Sequence, residues 1–423
     1  MENIKKLLII AGAGAHCKVV EAAHEMGIYT VVTDYLKDSP AKQISDESLL
    51  FDIFDVENLI KYCADNKVDG VLAFCIDPAQ KPARKIASAL GLPVFGDEYQ
   101  YNILTNKKAF KEFCVKNGVD VIPEYTVDDV YSGNIEYPVI VKPSDSRASR
   151  GVSVCYDKNE VLEAINLAKI EDSNSNFIIE KCMNKHQDLT ISYIVKDGEP
   201  ILISIGDRYS GREEDNLSRQ LICAIQPSRF VKMYEENVNE KVIGMIKNLG
   251  IKNGPVFMQG FVDGKTVRMY DPGIRLPGNE YERIFTKATG LNPMKSVIEF
   301  VMGGEINDFN GRMHGSHLLN GRRAIQYMIN VGPGEIACFE GLEDVKNIKN
   351  VIDVQQKRFV GDVIESTGDI KHRAGEVSIL VNNDIDEMIE TIQNVQSCLK
   401  VLDKYGNNML ISPFNAHCIR NLY

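Results

Sequence analysis

The chain has 423 residues, a formal net charge of −11, and hydrophobic and charged fractions of 44% and 25%. This length predicts about two to four domains, and the composition is that of an ordinary globular protein. The acidic balance argues against a general nucleic-acid or anionic-membrane binder, so small anionic ligands are the favoured partners.

The ten cysteines and the N-terminal residues favour a cytoplasmic location. The cysteines include no CxxC pair, so we interpret them as mostly buried thiols in a reducing compartment. Lys5 and Lys6 precede an apolar run that imitates a signal peptide. Because Leu7 to Ile10 is shorter than a signal core, we interpret it as a strand. No segment has the length of a membrane span.

Strands and helices alternate in the N-terminal part of the chain. Strands are predicted at residues 5 to 10, Tyr29 to Thr33 and Gly70 to Phe74, with one helix after Gly14 and another at about 55 to 66. This alternation predicts parallel βαβ units and an α/β fold for the region.

The turn from Gly12 to Gly14, with Asp34 after the second strand, has part of a dinucleotide-binding pattern. The third glycine of that pattern is absent, because Cys17 occupies its place. We favour a glycine turn that lets strand and helix pack closely, and an NAD-linked oxidoreductase is the less favoured alternative.

An amphipathic helix is predicted between Asn102 and Val121, with Phe110, Phe113 and Cys114 on one face. It introduces a second region of the chain, which has mixed α+β character. Further helices are predicted at about residues 159 to 169, 235 to 249 and 384 to 399.

The stretch from Tyr137 to Val154 predicts two strands joined by a loop of small and polar residues, with Lys142 ending the first strand. A fixed lysine beside a loop rich in backbone donors suits a polyphosphate, since both attract phosphate oxygens. The alternative is an ordinary hairpin with a solvated lysine.

The remaining segments predict further strands. They are Phe177 to Ile179, Leu189 to Val195, Ile201 to Ile205, Pro255 to Val262, Thr266 to Tyr270, Gly361 to Glu365 and Gly375 to Val381. A polar loop is predicted from Asp207 to Arg219, and Asp263-Gly264 is a strong hairpin signal. Beyond about residue 310 the β-rich segments predict a small closing domain.

Several short motifs occur in an order and spacing similar to those of the ATP-grasp superfamily. They are NK at 106 to 107, VKP at 141 to 143, SRGV at 149 to 152, IIEK at 178 to 181, Asp188, MQG at 258 to 260 and YDPGIR at 270 to 275. The pattern resembles carbamoyl-phosphate-synthetase-like and phosphoribosylglycinamide-synthetase-like carboxylate-amine ligases.

The resemblance covers nearly the whole chain and implies an ATP-grasp fold, of α/β and α+β class, in three domains. An N-terminal βαβ domain would span residues 1 to 104. The nucleotide-binding domain would span 105 to 310, with a mobile lid at about 137 to 202, and a β-rich C-terminal domain would span 311 to 423.

The resemblance also implies an ATP site. Lys107 and Lys142 match the two lysines that hold the ATP phosphates, and Ser149, Arg150 and Gly151 match the loop that closes over them. Glu180, Lys181 and Cys182 match the hinge that contacts adenine, and Asp188 matches the residue that contacts the ribose. For Asp188, a solvated turn carboxylate is the alternative.

Two further matches concern the metal and the reacting groups. Gln259 and Asp271 match the metal-bridging positions, which implies Mg²⁺ or alternatively Mn²⁺. Arg275 matches an arginine that faces the acyl phosphate or the substrate carboxylate, and with Lys142 and Arg150 it is a candidate catalytic residue. A structural ion pair is the alternative for Arg275.

The sequence departs from the family pattern at these positions. Gly273 replaces the asparagine ligand, Asp271 is one methylene shorter than the usual glutamate, and Gln259 is neutral. This predicts weaker metal binding. In the phosphate loop, Ser146, Arg147 and Ala148 stand where glycine or serine is common, so the loop should be stiffer.

The resemblance therefore implies an ATP-dependent ligase that joins a carboxylate to an amine or a thiol through an acylphosphate, releasing ADP and phosphate. Small-molecule acids and amines would be its partners, without nucleic acid or membrane, and a monomer or a homodimer remains open. The weakened metal motif motivates a second hypothesis, an ATP-binding regulatory module with impaired catalysis.

Overall fold

The structure, a computed structural model, describes residues 4–143, 152–171, 176–215, 217, 220–278, 281–307, 311–368 and 370–423. The predicted phosphate-loop residues Ser149, Arg150 and Gly151 lie outside these ranges, as do Ser146, Arg147 and Ala148.

The N-terminal unit is a four-stranded parallel sheet with helices between its strands. Its elements are β1 (Lys6–Ile10), α1 (Cys17–Glu25), β2 (Tyr29–Thr33), α2 (Pro40–Ile44), β3 (Glu47–Leu49), α3 (Val56–Asn66), β4 (Gly70–Ala73) and α4 (Asp77–Ala89). The strand order is β3-β2-β1-β4, so Leu8 pairs with Val31 on one side and Val71 on the other. The predicted parallel βαβ arrangement is confirmed.

The glycine turn after β1 packs against α2. The Gly12 amide donates to Asp34 Oδ2 at 2.8 Å, and the Leu36 amide donates to Asp34 Oδ1 at 2.8 Å. A Cβ at Gly12 would lie 2.2 Å from Ser39 Oγ, so only glycine fits here. Because both Asp34 oxygens have protein partners, the turn has the close-packing role that the sequence favoured.

Two helices and a small antiparallel sheet follow. The elements are α5 (Glu98–Thr105), α6 (Lys107–Lys116), β5 (Glu124–Tyr125), α7 (Val127–Ser132), β6 (Val139–Pro143), β7 (Ser153–Cys155), α8 (Lys158–Glu171) and β8 (Phe177–Lys181). The sheet order is β5-β8-β6-β7, and the hairpin predicted around Lys142 is confirmed by the pairing of Val139 with Cys155.

The amphipathic helix predicted on TNKKAFKEFCVKNG is confirmed as α6, and a separate helix that was not predicted, α5, ends before it at Asn106. The backbone of Asn106 is extended, with φ −121° and ψ 113°, and this ends α5. Its side chain then accepts a hydrogen bond from the Ala109 amide at 3.0 Å and so caps the start of α6.

The largest sheet has eight antiparallel strands in the order β13-β12-β9-β10-β11-β14-β18-β16. The elements up to β13 are β9 (Asp188–Lys196), β10 (Glu199–Ser210), β11 (Leu221–Gln226), α9 (Val231–Asn237), α10 (Asn239–Leu249), β12 (Gly254–Asp263) and β13 (Thr266–Gly273). The Asp263-Gly264 hairpin is confirmed, with Gly264 at φ +62°.

This topology corrects several predicted boundaries. Strand β9 belongs to the large sheet, whereas the small sheet ends at Lys181, so the lid predicted at about 137 to 202 does not follow the sheet boundary. Strand β10 continues through Asp207, which was predicted to lie in a loop. The helix predicted at 235 to 249 is interrupted at Val238.

The C-terminal third contributes strands to the same large sheet. Its elements, after α11 (Tyr281–Thr289) and α12 (Pro293–Gly303), are β14 (Arg322–Asn330), β15 (Gly334–Glu340), α13 (Leu342–Lys346), β16 (Val351–Gln356), β17 (Val363–Ile364), β18 (Arg373–Asn382), α14 (Ile385–Cys398), β19 (Lys400–Asp403) and α15 (Ile419–Leu422). Strands β17, β15 and β19 form a separate three-stranded sheet, in that order. The strand predicted at Gly361 to Glu365 is only Val363–Ile364.

Apolar side chains bury one extended core that joins the first unit to the large sheet, including Phe74, Phe95, Met258 and Phe285. A second core lies under the C-terminal helix α14. Across the described ranges, no helix combines the length and apolar character needed to cross a membrane.

Candidate functional site

Two lysines meet the carboxylate of Glu180 beneath the small sheet. Lys142 is the penultimate residue of β6, Glu180 lies on the neighbouring strand β8, and Lys142 Nζ contacts Glu180 Oε2. Lys111, on α6, contacts the other oxygen of Glu180 and also reaches Glu124 Oε1 at 2.6 Å. Lys111 is a site residue that the sequence analysis missed. It lies one helical turn after Lys107 on the otherwise apolar face of α6, and that spacing was its only signal.

The electrostatics of this group favour an anionic ligand. Burial lowers the pKa of Lys142, and the neighbouring Lys111 and Lys107 act in the same direction, although Glu180 opposes them. Burial alone would raise the pKa of Glu180, but Lys142 and Lys111 outweigh it and hold that pKa below its usual range. Lys111 and Lys142 thus share one buried carboxylate, and an added anion would relieve their mutual repulsion.

The two residues matched to metal-bridging positions face each other on adjacent strands. Gln259 of β12 pairs directly with Asp271 of β13. Lys107, the first residue of α6, places its Nζ 3.0 Å from Asp271 Oδ1. Burial lowers the pKa of Lys107, but Asp271 outweighs it and the net shift is upward. Lys107, Gln259 and Asp271 therefore form one group beside the Glu180 lysines.

A bulge in this hairpin brings a tyrosine to the group. The register shifts after Gln259, so Tyr270 has no directly opposed partner. Its hydroxyl donates to Gln259 Oε1 at 3.1 Å and lies 3.1 Å from Asp188 Oδ1. Tyr270 immediately precedes Asp271 in the sequence, yet nothing in the pattern singled it out.

Asp188, predicted to contact a ribose, is held by protein groups. Arg208 of β10 donates from Nε to Asp188 Oδ2 at 2.8 Å, and Arg208 Nη1 lies 3.4 Å from Thr190 Oγ1. Burial raises the pKa of Asp188, and Arg208 opposes that rise. The alternative of a solvated turn carboxylate is wrong, since Asp188 lies on β9 with 14% of its side chain exposed.

Arg275 forms a two-point ion pair with the N-terminal unit. Its Nε and Nη2 donate to the two carboxylate oxygens of Asp77, at 2.6 and 3.1 Å. The guanidinium also lies 4.8 Å from the centroid of the Phe257 ring. The ion pair considered as the alternative for Arg275 is therefore present, and it joins α4 to the end of β13.

The residues matched to the adenine hinge have protein partners as well. The amides of Lys181 and Cys182 donate to the carbonyls of Pro123 and Pro138, each at 3.0 Å. The Lys181 ammonium points to Glu136, at 2.8 Å from Oε2, and stays apart from the lysine group. Their predicted adenine contacts stay a prediction.

Comparison with known proteins identifies the part of the chain that carries Lys142, Glu180 and Gln259. Residues 135–269 match the family model described as an ATP-grasp domain. The formate-dependent phosphoribosylglycinamide formyltransferase of Prochlorococcus marinus (strain NATL2A) is 23% identical over 262 residues, which cover 58% of this chain and 64% of that protein. The alignment thus spans less than two thirds of that relative's length.

Two further similarities extend along the chain. The carbamoyl phosphate synthase large chain of Pseudothermotoga lettingae is 24% identical over 287 residues, covering 66% of this chain and 24% of that protein. The crystal structure of L-amino acid ligase from Bacillus licheniformis superposes with a TM-score of 0.78 at 20% identity, covering 96% of this chain and all of the other. The ATP-grasp fold inferred from the motifs is confirmed.

Proposed function

We propose that this ATP-grasp protein is an ATP-dependent ligase that joins a small carboxylic acid to an amine, or alternatively a thiol, with release of ADP and phosphate. The observation that carries the proposal is the convergence of Lys107, Lys111 and Lys142 on two carboxylates, Glu180 and Asp271. Such a cluster neutralises the charge of a triphosphate, and this is most of what phosphoryl transfer requires of a protein.

The donor set is compatible with Mg²⁺, and with Mn²⁺ as the alternative. Gln259 and Asp271 offer an amide and a carboxylate oxygen from directly opposed strand positions, and hard divalent cations prefer oxygen ligands. Within the part of the chain that the structure describes, no group of three His, Cys, Asp or Glu side chains could hold a metal. The metal would therefore depend on phosphate and water oxygens, and it would supply charge neutralisation when bound.

The proposed reaction has two steps. A carboxylate oxygen of the acid attacks the γ-phosphorus of ATP, the bond from that phosphorus to the β–γ bridging oxygen breaks, and ADP leaves. The nucleophile then attacks the acyl carbon, the carbon–oxygen bond to phosphate breaks, and the nucleophile gives up a proton. The chain's residues position the reactants and balance charge, with Lys107 and Lys142 at the phosphates and Arg275 at the acyl phosphate.

A second candidate function, an ATP-binding module with impaired catalysis, is favoured by a specific observation. Asp271 is the only carboxylate of the two bridging positions, and it is already paired with Lys107. Arg275 likewise forms an ion pair with Asp77. A protein that uses these contacts only to hold nucleotide would bind ATP without turnover.

Binding and turnover assays separate the two candidates. Calorimetric titration with ATP and Mg²⁺ should show binding that Lys142→Ala weakens by at least about tenfold, while Lys349→Ala, at an 83% exposed lysine, should leave it unchanged. Release of ADP with a panel of carboxylic acids and amines identifies the ligase. Binding without release for any pair supports the module, and equal affinities of wild type and Lys142→Ala contradict the proposed site.

A further inference from the structure

A second group of buried charged residues lies outside the proposed nucleotide site. It comprises Lys18 of α1, Glu282 of α11, Lys357, and Arg373 and Glu376 of β18, and we call it the mixed-charge cluster. Lys18 Nζ donates to Glu282 Oε2 at 2.7 Å, with both side chains 6% exposed. Lys357 and Arg373 both donate to Glu376 Oε1, and Glu376 is 1% exposed.

Among the described residues, each carboxylate of the mixed-charge cluster has one oxygen without a hydrogen-bond partner. Among the described residues, no group donates to Glu282 Oε1 or Glu376 Oε2, and Arg373 Nε has no acceptor. Leaving a buried charged oxygen without a donor is costly, so native proteins rarely do so without a ligand or a function. Two open acceptors and one open donor thus remain inside a buried group.

The two halves of the mixed-charge cluster belong together. Glu376 raises the pKa of Glu282, and Lys18 lowers the pKa of Glu376, although burial is the largest influence on both carboxylates. Helix α11, which carries Glu282, also packs against strand β18, which carries Glu376. The cluster therefore joins the N-terminal unit, helix α11 and the C-terminal strand β18 at one place.

This place lies beside Arg275. Lys18 Nζ lies 4.8 Å from the centroid of the Phe74 ring, Cys75 follows Phe74, and Asp77 pairs with Arg275. Burial raises the pKa of the Cys75 thiol to about 11. Gly278 packs against Cys75, because a Cβ at Gly278 would lie 3.0 Å from the Cys75 Cβ. The mixed-charge cluster and the proposed acyl-phosphate arginine thus both contact the segment from Phe74 to Asp77.

We propose that the mixed-charge cluster binds the amine substrate and that this substrate is an amino acid. Its ammonium would meet Glu282 Oε1 and Glu376 Oε2, and its carboxylate would meet Arg373 Nε. The assignment rests on the ligase function proposed above. A simple anion would be repelled by both open carboxylate oxygens, and a simple amine would leave Arg373 Nε without an acceptor.

The same contacts serve the second chemical step. Attack by nitrogen on the acyl carbon requires a free electron pair, so the ammonium must lose a proton. Burial raises the pKa of Glu282, which makes its carboxylate a better base than an exposed glutamate. The first proton passes to Glu282 and the carbon–nitrogen bond forms. Phosphate then leaves with the electrons of the broken carbon–oxygen bond and takes up the second proton that the nitrogen loses.

Direct binding of amino acids tests the assignment without requiring turnover. The full-length protein is titrated with each of the twenty proteinogenic L-amino acids, with and without Mg²⁺ and a non-hydrolysable ATP analogue. The heat of binding or the increase in melting temperature is measured. At least one amino acid should bind saturably. Its deaminated analogue and its methyl ester should each bind at least about tenfold more weakly, since each lacks one of the two charges.

Variants then connect that binding to the mixed-charge cluster. Glu376→Gln and Glu282→Gln should each weaken amino-acid binding at least about tenfold. Neither should change analogue affinity more than the control Glu387→Gln, whose carboxylate pairs with Lys349 at 3.0 Å elsewhere. Two glutamate variants are used so that a folding defect in one, detected by its melting temperature, does not decide the result.

The outcomes distinguish this assignment from the proposed function. Analogue binding without binding of any amino acid overturns the assignment and leaves the ligase with another nucleophile. Amino-acid binding that both variants retain also overturns it. Amino-acid binding without analogue binding contradicts the ligase, and with it the role of the mixed-charge cluster as an acceptor site.

Discussion

Lys107 Nζ lies 3.0 Å from Asp271 Oδ1 and thereby joins the first turn of α6 to the end of β13. The lysine side chain is 57% exposed and the aspartate 23%, so solvent and ligands can reach this contact. A phosphate and a metal cation would separate the pair by offering each partner a new counter-charge. The contact therefore indicates which two groups must exchange partners when nucleotide binds.

Asp271→Asn should raise the Mg²⁺ concentration needed for ADP release and lower turnover by at least about tenfold. Asp271 is the only carboxylate of the two bridging positions, so its loss leaves two neutral amides and an unpaired Lys107. A Mg²⁺ titration of ADP release, once an acid and an amine are known, measures the effect. Coincident curves for wild type and variant would remove Asp271 from the metal site.

Gly273→Asn restores the family's residue but should not lower the Mg²⁺ requirement. Gly273 does not have a positive φ, yet a Cβ there would lie 3.2 Å from Arg275 Cγ and 3.2 Å from Phe257 Cδ1. The added side chain would displace Arg275 from the Phe257 ring, and we expect about tenfold lower turnover. The Mg²⁺ titration applies here too, and a curve shifted to lower Mg²⁺ would contradict the prediction.

Removal of Lys111 should lower stability more than removal of Lys142, whereas removal of Lys142 should weaken ligand binding more. The Lys111 side chain is 8% exposed and that of Lys142 is 25% exposed, while both contact Glu180. We expect Lys111→Met to lower the free energy of unfolding by about 3 kcal/mol, and Lys142→Met by about half as much. Urea unfolding measures this order.

ATP titration of the same two variants should give the reverse ranking. Lys142 lies near the end of β6, beside the predicted phosphate loop, whereas Lys111 mainly holds Glu180 in place. Lys142→Met should therefore weaken ATP binding more than Lys111→Met does. If Lys111→Met is the weaker binder, then Lys111 is the principal phosphate contact and the assignment of the two lysines must be exchanged.

His16 should make the protein less stable in mild acid. Its ring packs edge-on against Phe74, and burial lowers its pKa from 6.5 to about 4. As pH falls, the unfolded chain takes up a proton on this histidine before the folded chain does. The stabilisation from neutral His16 is therefore complete above about pH 6.5 and is lost between about pH 6.5 and pH 4.

A comparison of wild type with His16→Gln isolates this contribution. Between pH 7.5 and pH 4.5, wild type should lose about 2.5 kcal/mol more unfolding free energy than the variant. Urea titrations at both pH values provide the four free energies. Equal losses in the two proteins would show that His16 is not buried in its neutral form.

The parts of the fold predicted correctly depend on neighbouring residues. The hairpin at Asp263-Gly264 follows from the turn itself, since Gly264 adopts φ +62°. The Lys142 hairpin and the alternation of β1, α1 and β2 follow from apolar periodicity in short windows. The short helix α5 before Asn106 was missed because its eight residues have only a weak apolar periodicity, whereas α6 has a clear apolar face.

The parts of the site that were missed depend on distant residues. Lys111 and Glu180 are 69 positions apart, and Asp77 and Arg275 are 198 positions apart. No local pattern indicates such pairings, because they arise from the packing of whole units. Motif resemblance placed Lys142 and Asp271 only because those positions could be matched singly, and it carried no information on their protein partners.

The eight-stranded sheet determines how the protein can be divided in the laboratory. Strand β11 pairs with β14 through four residues, from Cys223 opposite Tyr327 to Gln226 opposite Ala324. A fragment ending at residue 310, the predicted domain boundary, would lose β14, β16 and β18 and leave β11 as an open sheet edge. Unpaired edges recruit other chains. Fragments cut there should precipitate or associate, so screening and crystallisation require both parts in one polypeptide.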